Sequence, residues 1–474
     1  MTWETVIGLE VHVQLGTRSK MFCGCAATFG EEPNTNVCPV CLGLPGALPV
    51  PNAEAIRLGV RAALALECTV HPVSVFARKN YFYPDLPKGY QISQFDQPLA
   101  TGGRLRVESA ERGVIEVGIT RLHLEEDAGK SLHDRFPGLT AVDLNRAGVP
   151  LAEIVSEPDL RSAAEARAYL TSLKQILVYA GVSDCSMEKG HLRVDANVSV
   201  RRAGEARLGT KTEVKNVNSF ANVERALTSE QDRQIALLEA GGTVEQVTML
   251  FNAATGQVRP MRSKEESHDY RYFPDPDLPP LVVEAAWVEQ QRQYLPELPD
   301  AKVARLSMGY GLPAYDARVL AGDVALADYF EAVVKEGAEP KAAANWIMTE
   351  VMSQWNESGR FAVAAGTLAE LVGLVKDGTV SLQAAKKVFA ELASNGGTGA
   401  KATAERLGLI QVKDESSLEQ WVDEVIAANP KEVERYRAGE GKLLGFLVGQ
   451  VMKRSQGKAD PKGVQPVLLR KLAV

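Results

Sequence analysis

The sequence predicts an α+β protein in which a largely antiparallel sheet body is followed by helices, and three observations predict it. Strand-type alternation dominates up to about Val283, a proline cluster from Pro274 to Pro280 closes that region, and after Pro296 apolar residues recur at helical spacing. Alternation with one apolar and one polar face marks antiparallel strands covered on one side by helices. The 474 residues suffice for about three domains at roughly 150 each. The reading divides the chain into a body (1–294), a helical middle (295–400) and a small basic helical tail (401–474).

The strands follow in order. Ile7, Leu9, Val11, Val13 and Leu15 alternate with Gly8, Glu10, His12 and Gln14, so Glu10 and His12 stand side by side on the polar face. Between Gly118 and Glu125, Leu122 and Leu124 face one way while Arg121, His123 and Glu125 face the other. Leu192, Val194, Ala196, Val198 and Val200 alternate with Arg193, Asp195, Asn197 and Ser199, and Lys211, Glu213 and Lys215 again share a face. Up to about Val283 the reading holds two helical stretches. One starts at a cap on Asn218 or Ser219, runs to about Ala240 and ends at Gly241-Gly242, and it could cover the apolar face. Helix-period segments then cover 325–336, 341–355, 368–375, 382–393, 418–427 and 442–456, with a flexible hinge at 394–399. Gly445 and Gly449, four apart in the apolar stretch Leu443–Met452, suggest close helix packing within the tail.

Composition narrows the class. A hydrophobic fraction of 45% with 24% charged residues excludes disordered, collagen-like and disulfide-scaffold chains. No uninterrupted apolar run is long enough for a membrane span. The stretch Met1–Leu15 alternates and does not form a basic region followed by an apolar block, so no signal peptide is expected, and 6 cysteines point to reduced thiols in the cytoplasm. The net charge of -7 argues by itself against a nucleic-acid partner. From Arg435 onward, however, nine basic residues face only Glu440 and Asp460, an acidic body with a basic tail.

Four signals carry chemistry. Cys23-x-Cys25 and Cys38-Pro39-Val40-Cys41 place four thiols in two tight pairs, as a closed tetrahedral zinc site requires, although the first pair is CxC and the cysteines could also be unpaired structural residues. Cys68 and Cys185 read as packing residues. Glu10, His12, Glu125, Glu126, Asp127, Glu153 and Asp195 line strand positions. They form either a wet outer face or a site for a hard cation, Mg²⁺ or Mn²⁺. Arg78-Lys79-Asn80-Tyr81-Phe82-Tyr83-Pro84-Asp85, leading through Lys88 to Gln91-Ile92-Ser93-Gln94, and Asp269-Tyr270-Arg271-Tyr272-Phe273-Pro274 mix cations with tyrosines, suiting phosphates and a stacked base or plain loop anchoring. Gly129-Lys130-Ser131 resembles the end of a phosphate loop, but Leu124 stands where the first glycine belongs, so only the charge of Lys130 remains of use. No GxSxG elbow and no Cys–His nucleophile pair is present, and His71, His123, His133, His191 and His268 read as solitary structural residues, so the chain itself should not hydrolyse an amide.

Read together, Ile7-Gly8-Leu9-Glu10-Val11-His12, the Arg78–Asp85 string, Tyr90-Gln91-Ile92-Ser93-Gln94, Leu124-Glu125-Glu126-Asp127-Ala128-Gly129-Lys130, Glu153-Ile154-Val155-Ser156-Glu157-Pro158-Asp159, the Asp269–Pro274 string and Gly445-Phe446-Leu447-Val448-Gly449-Gln450 resemble the B subunits of bacterial aspartyl/glutamyl-tRNA(Asn/Gln) amidotransferases. The resemblance covers essentially the full length. It implies a cradle domain related to glutamine synthetase, a helical domain and a YqeY-like tail. It further implies that mischarged Glu-tRNA(Gln) or Asp-tRNA(Asn) is amidated with ATP and ammonia, the ammonia coming from an amidase-type glutaminase A subunit clasped by a small C subunit in a heterotrimer. The cysteine quartet is not universal in that family, which favours structural zinc.

On that basis Glu10, His12, Glu125 and Glu153 are expected to ligate Mg²⁺, with Asp127 and Asp195 nearby or at a second ion. Arg78, Lys79, Lys88, Lys130, Lys211, Lys215 and Arg271 are expected at phosphate or the acyl-adenosine end, with Tyr81 and Tyr83 stacking adenine. Arg435, Lys442, Lys453, Arg454 and Lys458 would touch the tRNA body. The competing expectations are a non-catalytic, zinc-stabilised tRNA-binding adaptor and a metal phosphohydrolase acting alone.

Overall fold

The structure, a computed structural model, describes residues 2–261, 269–396, 399–411, 414–455 and 457–473. His268, Gly397 and Thr398 of the expected hinge, and Gln456 at the end of the last expected helix segment lie outside the described residues. The chain divides into two compact units, Met1–Pro299 and Asp300–Val474.

The first unit runs β1 (Trp3–Gln14), α1 (Ala53–Ala65), β2 (Thr69–Val70), β3 (Val73–Ser74), β4 (Phe76–Asn80), β5 (Tyr90–Gln94), β6 (Ala100–Ser109), β7 (Gly113–Glu126), β8 (Lys130–Phe136), β9 (Leu139–Asp143), β10 (Pro150–Ser156), α2 (Ala163–Tyr179), β11 (Leu192–Arg202), β12 (Thr212–Lys215), α3 (Phe220–Glu239), β13 (Thr248–Asn252), β14 (Gln257–Pro260), β15 (Phe273–Pro274), β16 (Leu281–Val282) and α4 (Ala285–Gln293). Twelve strands form one sheet in the order β14-β13-β12-β11-β1-β10-β7-β5-β4-β15, with β6 on β7 and β2 on β6. Every pair in it is antiparallel except β12–β13. The sheet forks at β7, whose first part pairs with β6 and whose end, at Glu125, pairs with Ser93 of β5.

The core lies on the face that the alternation assigns. Ile7, Leu9, Val11 and Val13 are buried with Leu122, Leu124, Val194, Ala196 and Val198 against Leu58 of α1, Tyr169, Leu170 and Leu173 of α2 and Val223 of α3. At Gly59 an added Cβ would stand 2.7 Å from Leu124 Cδ2, so the missing side chain lets α1 sit close to β7. Ser219 caps α3 by accepting from Asn222 N at 3.1 Å, and Gly241, at φ +78°, ends it. Up to Val283 the body thus has three helices where the pattern suggests two.

The described residues of the second unit form helices and the turns between them. Residues 306–404 bury one core around Phe330, Trp346, Ile347, Leu371 and Phe389. Residues 418–472 bury another around Leu418, Val422, Leu447, Val451 and Leu468. The expected helix at 341–355 is broken by a π-helical turn, Ile347–Val351. The last expected helix is observed as Leu443–Arg454. Gly445 and Gly449 do not pack closely: among the described residues no atom from outside their own helical turn would come within 4 Å of a Cβ at either position, so this face of the helix is open.

Candidate active site

Strand order, more than sequence proximity, assembles the site. In the ladders His12 of β1 stands opposite Arg193 of β11 on one side and Glu153 of β10 on the other, and Glu153 stands opposite His123 of β7. Four side chains from four strands therefore form a row across the polar face, with Glu125 two residues beyond His123 on the same face. His12 Nε2 lies 3.2 Å from Glu153 Oε2 and 3.6 Å from Glu125 Oε1. One ligand atom each from His12, Glu125 and Glu153 fall within 4.8 Å of one another, a spacing compatible with a single shared cation. Two carboxylates and one imidazole suit Mg²⁺ or Mn²⁺.

These groups are not the wet outer face that a polar strand side usually forms. Glu125 is 2% exposed, His123 3% and Glu153 7%. Burial works against the charge on both imidazoles, but Glu153 and Glu125 outweigh it, holding His12 above its ordinary range and pushing His123 up to about 9. Burial likewise favours the neutral carboxyls, yet His123 and His12 keep Glu125 below the usual carboxylate range, and Glu153 is held far lower. Ser93 Oγ donates to Glu125 Oε2 at 3.2 Å. His123, read from sequence as solitary and structural, is a member of the cluster; its buried Nδ1 has no hydrogen-bond partner among the described residues. The available clue was its parity with Glu125 along β7.

The other expected metal ligands are engaged elsewhere. Glu10 accepts from Asn197 Nδ2 at 3.0 Å and lines a pocket of about 260 Å³ with Lys211. Asp195, opposite Glu10, is bonded by Lys215 at 2.9 Å. Asp127 departs most from expectation. It is buried and gripped by Arg193 at 2.5 and 3.2 Å, with Arg146 Nε 3.4 Å away, so two guanidiniums stand where the sequence suggests a metal ion.

The basic and aromatic residues divide into two groups. Lys79, Tyr81, Tyr83 and Arg271 line one open cleft of about 1070 Å³, with Lys79 Nζ 4.8 Å from the Tyr270 ring centre and Tyr81 Oη donating to Gln91 at 3.1 Å. Arg78 is instead tied to Asp275 at 2.9 Å and Asp277 at 2.8 Å, and Lys88 is buried against Glu126, so both charges are already neutralised. Lys130 is exposed at the start of β8. The neighbouring Gly129 faces the carbonyls of Asp85 and Asp143, which would repel a phosphate.

The four cysteines converge. One Sγ from each of Cys23, Cys25, Cys38 and Cys41 falls within 4.8 Å of the others, and Cys38 and Cys41 are 3.9 Å apart, close to the ~3.8 Å edge of a tetrahedron with Zn–S of about 2.3 Å. The donor set fits zinc. Cys68 and Cys185 are buried apart from them.

With the geometry described, the comparisons with known proteins decide the family. Residues 5–289 match the family model described as GatB/GatE catalytic domain, and residues 328–472 match the GatB domain. The chain is 55% identical over 480 residues to the B subunit of the aspartyl/glutamyl-tRNA(Asn/Gln) amidotransferase of Moorella thermoacetica, covering 100% of both chains. It is 54% identical to the equivalent protein of Geotalea uraniireducens and 53% to that of Geobacter sulfurreducens, again over 100% of both. The chain belongs to the GatB family. The GatB catalytic-domain match contains the whole His12–Glu153–His123–Glu125 cluster and the cysteine quartet.

The second GatB match contains the basic tail. There Arg435 pairs with Glu440 and Arg454 with Glu424, at 2.7 and 2.6 Å. Lys442 and Lys453 are exposed on the open helix face beside Gly445, Phe446 and Gly449, and neither has an ion-pair partner among the described residues. Lys458 is half-buried.

Proposed function

We propose that this chain is the part of a tRNA-dependent amidotransferase that activates the side-chain carboxylate of mischarged Glu-tRNA(Gln), Asp-tRNA(Asn) or both with ATP and lets ammonia displace the phosphate. The printed names of its full-length relatives support the tRNA and amide-transfer parts of this reading. The observation that carries the chemical part is the His12–Glu125–Glu153 cluster on the sheet face, whose two carboxylates are buried.

A carboxylate resists ammonia because it is negative and its oxygen leaves poorly. Attack of a carboxylate oxygen on the γ-phosphorus of ATP forms an acyl phosphate and releases ADP. Ammonia nitrogen then adds to the acyl carbon, phosphate departs and the amide remains. Phosphoryl transfer is mainly positioning and charge neutralisation. His12, Glu125 and Glu153 would hold Mg²⁺, which when bound supplies positive charge to the phosphates. Lys79 and Arg271 in the large cleft, and Lys211 beside Glu10, are the cations we assign to ATP or the aminoacyl end, with Tyr81 and Tyr83 as the stacking surface. Arg78, Lys88 and Lys215 are instead assigned to holding the loops and strands around them, because carboxylates already occupy them.

The sheet body is read as the cradle for the tRNA 3′ end, the four cysteines as a structural zinc site and the tail as a contact for the tRNA body. Three separate cores support a three-part division, but Leu295 and Leu298 pack with the core of the body and Ala404, Leu409 and Ile410 with that of the helical middle, so the bounds lie later than the expected 294 and 400. Ammonia would come from a glutaminase A subunit, with a small C subunit completing a cytoplasmic heterotrimer. The test is Glu125→Ala in the assembled enzyme supplied with glutamine, ATP, Mg²⁺ and mischarged tRNA. ADP release should vanish while tRNA binding persists. Unchanged turnover would favour the adaptor reading, and ATP cleavage by the lone chain without tRNA would favour a phosphohydrolase.

A further inference from the structure

Lys20 has no exposed surface. Its Nζ donates to the carbonyls of Asn36 at 2.6 Å and Leu144 at 3.4 Å and lies 3.6 Å from Cys41 Sγ. Among the described residues no carboxylate oxygen lies within 4.0 Å of it, in contrast to buried Lys88, which has Glu126, and Lys302, which has Glu331. An ammonium taken out of water is strongly unfavourable unless an anion compensates it. The anion at hand is sulfur, since four thiolates around one Zn²⁺ leave an excess of negative charge.

We propose that Lys20 is the built-in counter-ion of the four-cysteine centre, donating to Cys41 sulfur and fastening the centre to the segment that follows β9. The proposal rests on reading the cysteines as a zinc site. Asn36 belongs to the loop joining the two cysteine pairs, so one ammonium joins that loop, one ligand and the Leu144 segment. The same segment carries Arg146, which meets Asp127, and Gly148, whose backbone N donates to Asp127 O at 2.8 Å. A Cβ at Gly148 would stand in ordinary contact with Cys41 Cβ at 3.4 Å and Lys20 Cδ at 3.5 Å, so this segment packs directly on the centre, and its φ of +87° favours glycine there. Lys20 is thus a positioning residue: it acts on the metal through the sulfur. Outer partners of metal ligands typically change affinity 10–100-fold when removed.

The test uses the full chain. Zinc per chain is measured, followed by the rate of zinc transfer to a chromophoric chelator for wild type, Lys20→Met and Lys20→Arg. Wild type should carry zinc, Lys20→Met should release it about 10–100-fold faster, and Lys20→Arg, which keeps the charge and its donors, should behave much more like wild type. Lys20→Met that holds zinc as wild type does overturns the proposal. Wild type that binds no zinc overturns the zinc reading itself, a distinguishable result because there is then no metal to release. If Lys20→Met does not fold, wild type alone decides. Reductive methylation read by mass spectrometry should spare Lys20 in the zinc-loaded chain and label it after zinc is stripped, and equal protection in both states overturns the proposal.

Discussion

Two imidazoles share one carboxylate oxygen: His12 Nε2 lies 3.2 Å and His123 Nε2 3.3 Å from Glu153 Oε2. A cation bound by this cluster competes with protons for the same oxygen. His123 is raised to about 9 in the fold, so its protonated form stabilises the metal-free chain fully below its unfolded value near 6.5, and that stabilisation is lost as pH rises through 9. The melting temperature of the chelator-treated chain should therefore fall between about pH 6.5 and 9. Mn²⁺ should bind more tightly over the same interval. A flat melting profile that Glu153→Gln leaves unaltered would contradict this.

Thiol reactivity should separate the six cysteines. Burial pushes Cys68 and Cys185 up to about 12, so neither offers thiolate to a disulfide reagent at pH 8. On the zinc reading proposed above, few thiols of the folded chain should react. A chelator should release the four of the quartet, and unfolding the remaining two. Titration with a chromogenic disulfide, with and without chelator, reads the count.

The tail cations should not contribute equally to tRNA binding. Lys442 and Lys453 are exposed without ion-pair partners among the described residues, whereas Arg435 and Arg454 are partly neutralised by Glu440 and Glu424. Lys442→Ala and Lys453→Ala should each weaken binding and reduce the slope of log affinity against log salt by about one. Arg454→Ala should cost less, because a pair with Glu424 must break before the guanidinium reaches phosphate. Filter binding across a salt series measures both quantities.

The apolar side of β1 should be as sensitive as its polar side. Leu9 is 1% exposed between Gly8 and Glu10, so Leu9→Ala should destabilise the first unit by about 2–5 kcal/mol through lost burial and the cavity left behind. Gln14→Ala, at the strand's end, should cost far less. Urea unfolding followed by circular dichroism distinguishes them.

Parity along single strands was legible in the sequence, and it put Glu10 with His12, His123 with Glu125, and Arg193 with Asp195 on the polar face. Strand order was not. Nothing local says that β1 lies between β10 and β11, so the juxtaposition of His12, Glu153 and His123 could not be read, and His123 passed as solitary. Charge alone also misleads about partners. Arg78, Lys88 and Asp127 carry the residue types of a phosphate or metal site, yet each is satisfied by a residue distant in sequence: Asp275, Glu126 and Arg193. The convergence of the four cysteines was legible because they are close in sequence and come in two tight pairs. Gly445 and Gly449 were misread because small residues in an apolar helix signal close packing only when a partner helix is present.

The placement of β1 has a consequence for biosynthesis. It leaves the ribosome well before its two neighbours, residues 150–156 and 192–202. At about 5–20 residues per second, its Ile7, Leu9 and Val11 side chains wait roughly 10–40 s for both partners. During that interval the nascent chain presents an apolar ribbon with two unsatisfied edges, the kind of segment that chaperones shield from aggregation.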